Sequence, residues 1–214
     1  MRVALYARYS SDNQRDASIT DQLRMCRLRA EKEGVMSRQQ VVGTLILLAI
    51  AGNETTTKLI GNMAYRLWQH KDQRQLLIDD PSLIGNAVEE VLRFDGSSQI
   101  IVRRVGKDIE MRGKKLKVGD RVGLCIISAN RDETKYPDPD RFDVRRGARD
   151  HMAFGLGIHG CLGSALARLE ARVVFEEVLK RMPDYEIEEA GLKRAHNPNV
   201  RGFTHVPARV PSAA

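Results

Sequence analysis

Apolar positions along the chain fall into runs of helical spacing, separated by polar breaks that glycine and proline mark. The first 34 residues open on a short apolar run, Val3 to Ala7. From Ile19 to Glu33 the residues Ile19, Leu23, Met25, Cys26 and Ala30 recur near helical spacing, which predicts a β-loop-α segment. Ser37-Arg38-Gln39-Gln40 fits a capping box, and the apolar stretch Val41 to Ala51 beyond it predicts a long helix reaching Leu67 or so. Asp80-Pro81 supplies an N-cap and a proline at the first helical position, predicting a helix to Leu92 or Arg93. Gln99 to Arg104 reads as a strand, Asp108 to Val118 as a hairpin turning at Arg112-Gly113, and Val122 to Asn130 as a short helix. A last helical pattern starts at Ser164 and ends near Met182, and the tail from Asp184 to Val210 is strand-rich. The expected fold class is mainly α with small antiparallel β-sheets.

Composition narrows the setting. A chain of 214 residues is enough for one domain, or one domain and a fragment. Its three cysteines lack paired spacing, which argues for a reducing compartment. The longest apolar run, Leu45 to Ala51, is too short to span a bilayer, and the N-terminus lacks the apolar core of a secretion signal. A cytoplasmic protein without membrane association is expected. The net charge of +7 admits acidic partners, nucleic acid or an acidic electron-transfer protein. Because both signs are mixed along the whole chain, a solvated surface accounts for the charge equally well.

The candidate chemistry centres on Phe154-Gly155-Leu156-Gly157-Ile158-His159-Gly160-Cys161-Leu162-Gly163, directly before the last helix. A cysteine at a helix start meets free backbone N–H groups and the positive end of the helix dipole, and both favour a thiolate. Gly155, Gly157 and Gly163 let a flat ligand approach the backbone. The pattern F-G-x-G-x-H-x-C-x-G resembles the cysteine-ligand loop of the haem-thiolate monooxygenases, the cytochrome P450 superfamily. The resemblance implies haem b as cofactor, Cys161 as its iron ligand, and Phe154, Gly155, Gly157 and His159 as cofactor-binding residues, with His159 at a propionate.

Further motifs match the same family. The long helix turns polar at Ala51-Gly52-Asn53-Glu54-Thr55-Thr56. A surface turn of an amphipathic helix is lined in this way. The segment also matches A-G-x-[D/E]-T, which in the family lies over the oxygen-binding face of the haem. By that resemblance Gly52 passes close to the porphyrin, and Glu54 and Thr55 are the catalytic proton relay. Glu90-Val91-Leu92-Arg93 matches E-x-x-R. In isolation it reads as an exposed i,i+3 pair; in the family the pair is buried and joined by an arginine, here Arg146, in a structural role behind the cysteine loop. Arg103 matches a second propionate contact.

The opening residues carry a different likeness. Tyr6, Arg8, Ser10 and Gln14 meet the pattern Y-x-R-x-S-x-x-x-Q and resemble the start of serine recombinases of the resolvase type. That resemblance makes Ser10 the match of a nucleophile and Arg8 that of a phosphate-binding arginine. The family's remaining arginines have no counterpart, and two residues cannot surround a transferred phosphate, so both are expected to be inactive and nucleic acid is not an expected partner.

The expected organisation is a recombinase-like fragment over residues 1–34 and the C-terminal half of a haem-thiolate monooxygenase over residues 35–214. With the other half absent, the substrate-covering elements are missing and apolar surface is left to drive homo-oligomerisation. The function expected is a haem-binding, oxidoreductase-type protein with residual or no monooxygenase activity, served by an acidic ferredoxin-type electron donor. A self-associating protein without haem is the alternative, and a DNA-binding fragment ranks last.

Overall fold

The computed structural model describes Lys32, Gly34 and residues 36–210, which divide into two compact units between Ala51 and Gly52. Cys26, Arg8, Ser10 and the expected β-loop-α opening lie outside the described residues, Lys32 apart. Helix α1 (Arg38–Gln69) starts at the capping box. The Ser37 N–H donates to Gln40 Oε1 at 2.8 Å and the Gln40 N–H to Ser37 Oγ at 3.3 Å, so two amides that a helix start leaves unpaired are satisfied reciprocally. Helix α2 (Lys71–Asp79) follows directly. Asp80 Oδ1 then accepts the Ser82 N–H at 3.1 Å, but the turn it caps, Pro81–Leu83, is 3-10, and α-helical winding begins only with α3 (Ile84–Asp95).

Four strands come next: β1 (Ile100–Arg104), β2 (Ile109–Met111), β3 (Lys114–Leu116) and β4 (Arg121–Cys125). The β2–β3 hairpin turns at Arg112 and Gly113, with φ of 48° and 74°. Two consecutive left-handed residues are what a two-residue turn needs to match the strand twist. The helix expected over Val122 to Asn130 is corrected to strand β4 followed by the short helix α4 (Ile126–Ala129). The reason is remote in sequence: β1 offers a backbone edge, and Val102 pairs with Gly123 and Arg103 with Val122.

Helix α5 (Ser164–Arg181) precedes a tail of short strands, β5 (Glu186–Ile187), β6 (Lys193–Arg194), β7 (Phe203–His205) and β8 (Ala208–Arg209). Strand β5 pairs with β8 and β6 with β7, both antiparallel.

Helix α3 is the hub of the larger unit. Val88, Val91 and Leu92 pack into a core with Leu59, Met63 and Leu67 of α1, Leu77 of α2, and Phe175 and Leu179 of α5. Each such side chain contributes roughly 1.5–3 kcal/mol by leaving water. The same helix buries three carboxylates, and each binds a different segment. Asp95, at its end, takes Arg66 of α1 at 2.8 Å and Arg201 of the tail at 2.6 Å. Of the other two, Glu89 takes Arg168 of α5, and Glu90 takes Arg93 of its own helix and Arg146.

Candidate functional site

Cys161 sits at the end of a loop that two left-handed glycines shape. A 3-10 turn, Met152–Phe154, ends at Gly155 with φ of 65°; Gly157, with φ of 66°, opens a second turn, Gly157–His159. The Cys161 N–H donates to the Phe154 carbonyl at 2.8 Å and closes the loop. Helix α5 begins at Ser164, as the residue pattern predicts, and Cys161 stands just before its N-terminus with an exposed side chain.

The Glu90–Arg93 pair lies on α3. Both side chains have 0% exposure, so the pair is an interior one and not a surface pair. Arg93 Nε donates to Glu90 Oε2 and Nη2 to Oε1, both at 2.8 Å. Arg93 Nη1 reaches the carbonyls of Asn130 and Pro139 at 2.9 Å. Arg146 Nε donates to Glu90 Oε1 at 3.3 Å, and its other nitrogens take the carbonyls of Pro137, Asp138 and Arg141. The irregular segment 137–146 thus wraps two guanidinium groups with carbonyls. Charges buried here are tolerable because nearly every donor finds an acceptor.

Next to it, Glu89 forms a network that the sequence reading did not single out. Arg168 Nε and Nη2 donate to Glu89 Oε1 and Oε2 at 2.6 and 3.0 Å, and His151 Nε2 lies 3.1 Å from Oε2. Burial alone would raise the Glu89 carboxyl, but the hydrogen bonds of His151 and Arg168 and the Arg168 charge outweigh it and hold it at about 2. The carboxylate is therefore an acceptor, His151 Nε2 carries the proton, and Nδ1 accepts the Ala153 N–H at 3.2 Å. Arg168 also stacks its guanidinium 4.5 Å from the centre of the Phe154 ring. The signal available in the sequence was slight: a second glutamate directly before the E-x-x-R motif.

The remaining predicted residues are exposed or half-buried. Arg103 of β1 is exposed, and its Nη1 donates to the Val102 carbonyl at 3.2 Å. His159 is exposed on the loop, and Phe154 is half-buried at its start. Glu54 and Thr55 lie half-buried on α1, which runs through the polar interruption without a break. A Cβ placed on Gly52, Gly157 or Gly163 would meet no atom within 4 Å, so each glycine borders open space.

These residues fit a haem. Among the described residues no three His, Cys, Asp or Glu side chains gather as a metal cage, and Cys161 is a single soft donor. A lone thiolate suits a metal whose other ligands come with a macrocycle. Around it Ile158 and Leu162 are 97% and 91% exposed, apolar surface of the kind that a flat apolar group covers. Among the described residues no helix is long and apolar enough to cross a membrane.

Comparison with known proteins agrees with the geometry. The pattern of the family Cytochrome P450 matches residues 5–183. A putative cytochrome P450 123 of Mycobacterium tuberculosis is 42% identical over 185 residues, covering 86% of this chain and 46% of that protein. The biotin biosynthesis cytochrome P450 of Bacillus subtilis is 41% identical over 162 residues, covering 76% and 41%. Among solved structures, CYP109E1 of Bacillus megaterium in complex with testosterone superimposes with a TM-score of 0.84 at 39% identity, covering 87% of this chain and 49% of that one. The chain thus spans about half the length of the relatives it matches. By its cysteine loop, its buried Glu90–Arg93 pair and these matches, the chain belongs to the cytochrome P450 family.

Proposed function

We propose that the chain is a haem-binding, oxidoreductase-type protein in which the Cys161 thiolate is the iron ligand, with residual or no monooxygenase activity. The observation that carries this reading is the exposed Cys161 thiol, set before α5 on a loop closed by its own N–H to Phe154. Haem b, when bound, supplies oxygen activation at a thiolate-ligated iron. Cys161 donates the electron density, Phe154, Gly155, Gly157 and Gly52 line the cofactor, and Arg103 and His159 neutralise its propionates. Glu54 and Thr55 hold and move protons. Glu90, Arg93 and Arg146 keep the segment behind the loop in place.

An acidic ferredoxin-type donor suits a chain of net charge +7 whose Arg149, Arg168 and Arg172 line one concave surface of about 420 Å³ beside α5. The test is the absorption spectrum of purified protein supplied with haem, then reduced and exposed to carbon monoxide. A thiolate-type red-shifted Soret band is expected; no haem uptake, or a histidine-type band, would overturn the reading.

A second reading, a self-associating protein without haem, draws on exposed apolar residues. Leu162, Leu166, Leu169 and Val173 are exposed at and beyond the start of α5, and Ile100, Val102 and Leu124 on β1 and β4. Light scattering on a size-exclusion column decides it, and a clean monomer would remove it.

The same proposal extends to organisation, with a serine-recombinase-like fragment over residues 1–34 joined to residues 35–214. Its support is the motif of Tyr6, Arg8, Ser10 and Gln14 alone, since the family match already begins at residue 5. Ser10→Ala is expected to leave DNA retention and every other property unchanged, and loss of a DNA-cleaving activity in that variant would revive the recombinase function.

A further inference from the structure

We infer that Glu89 is a positioning residue for the loop that carries Cys161, tying both ends of that loop to helix α3 through one carboxylate. The consequence for iron ligation rests on the haem-thiolate reading above; the mechanical role does not. Residues 156–163 are all exposed, so side-chain packing does little to fix the Cys161 backbone. What holds the loop is found at its ends.

On the entering side, His151 is buried just before the Met152–Phe154 turn and hands its Nε2 proton toward Glu89 while Nδ1 receives the Ala153 amide. On the leaving side, Arg168, on the second turn of α5, grips Glu89 with two nitrogens and lays its guanidinium over Phe154. Phe154 in turn accepts the Cys161 N–H. A continuous set of bonds therefore runs from Glu89 to the Cys161 backbone. Three donors converge on the two oxygens of Glu89. A glutamine there offers one oxygen and an NH₂ group, so at least one donor would face another donor.

The adjacent Glu90 provides an internal control. Its Oε1 accepts the Asp143 N–H at 3.0 Å in a different segment of the chain. Hydrogen exchange of the purified full chain, read by mass spectrometry on peptides containing Cys161 and Asp143, separates positioning from general loss of stability. In Glu89→Gln, exchange at Cys161 is expected to speed up about tenfold or more while Asp143 keeps its wild-type rate, as a lost charge-assisted hydrogen bond opens its own region first. Haem-loaded Glu89→Gln is expected to show a smaller share of the thiolate-type band after reduction and carbon monoxide.

Equal acceleration at both amides, unchanged exchange at Cys161, or an unchanged thiolate-type share would each overturn the inference. If Glu89→Gln fails to fold, Arg168→Lys decides by the same two-amide comparison, because it keeps the charge and loses the paired bonds and the ring stacking. Wild-type protein that takes up no haem would refute the haem-thiolate reading while leaving the exchange comparison intact, since that comparison needs no haem.

Discussion

Glu89 and Glu90 are consecutive on α3, are both buried, and bind different segments of the chain. Glu89 takes Arg168 and His151, which flank the Cys161 loop, whereas Glu90 takes Arg93, Arg146 and the Asp143 N–H. Neighbours in a helix point about 100° apart, so two adjacent carboxylates reach different surroundings without competing for the same donors. The helix thus acts as a shared anchor, and the predictions below follow from which anchor is cut.

Removing Arg93 leaves the buried Glu90 carboxylate with only Arg146 and the Asp143 N–H, both on Oε1, and deprives the carbonyls of Asn130 and Pro139 of their donor. Arg93→Ala is expected to cost about 3–5 kcal/mol, the usual penalty for breaking a buried pair on one side. Urea unfolding of wild type and variant measures this, and a loss below about 1 kcal/mol would show that the pair behaves as an exposed one.

Acid should act on Glu89 in a defined window. Its folded value, about 2, lies below the ordinary 4.5, so its contribution to stability is complete above pH 4.5 and is lost as pH falls towards 2. Allowing for the partly exposed Arg168, the contribution is on the order of 2 kcal/mol. Unfolding free energies of wild type and Glu89→Gln should converge over that window, and parallel pH profiles would contradict the assignment.

Gly96 ends α3 where no side chain fits. A Cβ there would lie 2.4 Å from the Leu92 carbonyl oxygen, and Asp95, beside it, is held by two arginines and cannot swing aside. Gly96→Ala is expected to destabilise by about 1–3 kcal/mol, as overpacking does. An unchanged melting temperature would mean that the end of the helix relaxes freely.

Cys161→Ala removes the proposed iron ligand without filling space, since its side chain is exposed. The thiolate-type Soret band should vanish while the unfolding free energy stays within about 0.5 kcal/mol of wild type, as for other surface changes. A retained band would place the ligand elsewhere.

Some of this was legible in the residues because it is local. Ser37 and Gln40 cap each other three residues apart, and Arg112-Gly113 turns a hairpin whose strands adjoin it. The spacing of the Cys161 loop likewise needs only its own glycines and the helix that follows. Arg103 and His159 are named by resemblance alone, and both remain exposed, with Arg103 bonded to its neighbour's carbonyl. Glu89, His151 and Arg168 escaped notice because 62 and 79 residues separate the partners, and no periodicity records such a meeting.

By itself, the sequence determined the starts of α1 and α5, the hairpin turn, the loop that presents Cys161 and the family they resemble, since short-range sterics and hydrogen bonding set these local features. Tertiary structure alone decided that Arg121–Cys125 is a strand and that Glu89 and Asp95 are buried ions. The physical reason is shared. A backbone edge and a carboxylate acquire their energies from whatever fills the space beside them, and here that is β1 in one case and arginines from distant segments in the other.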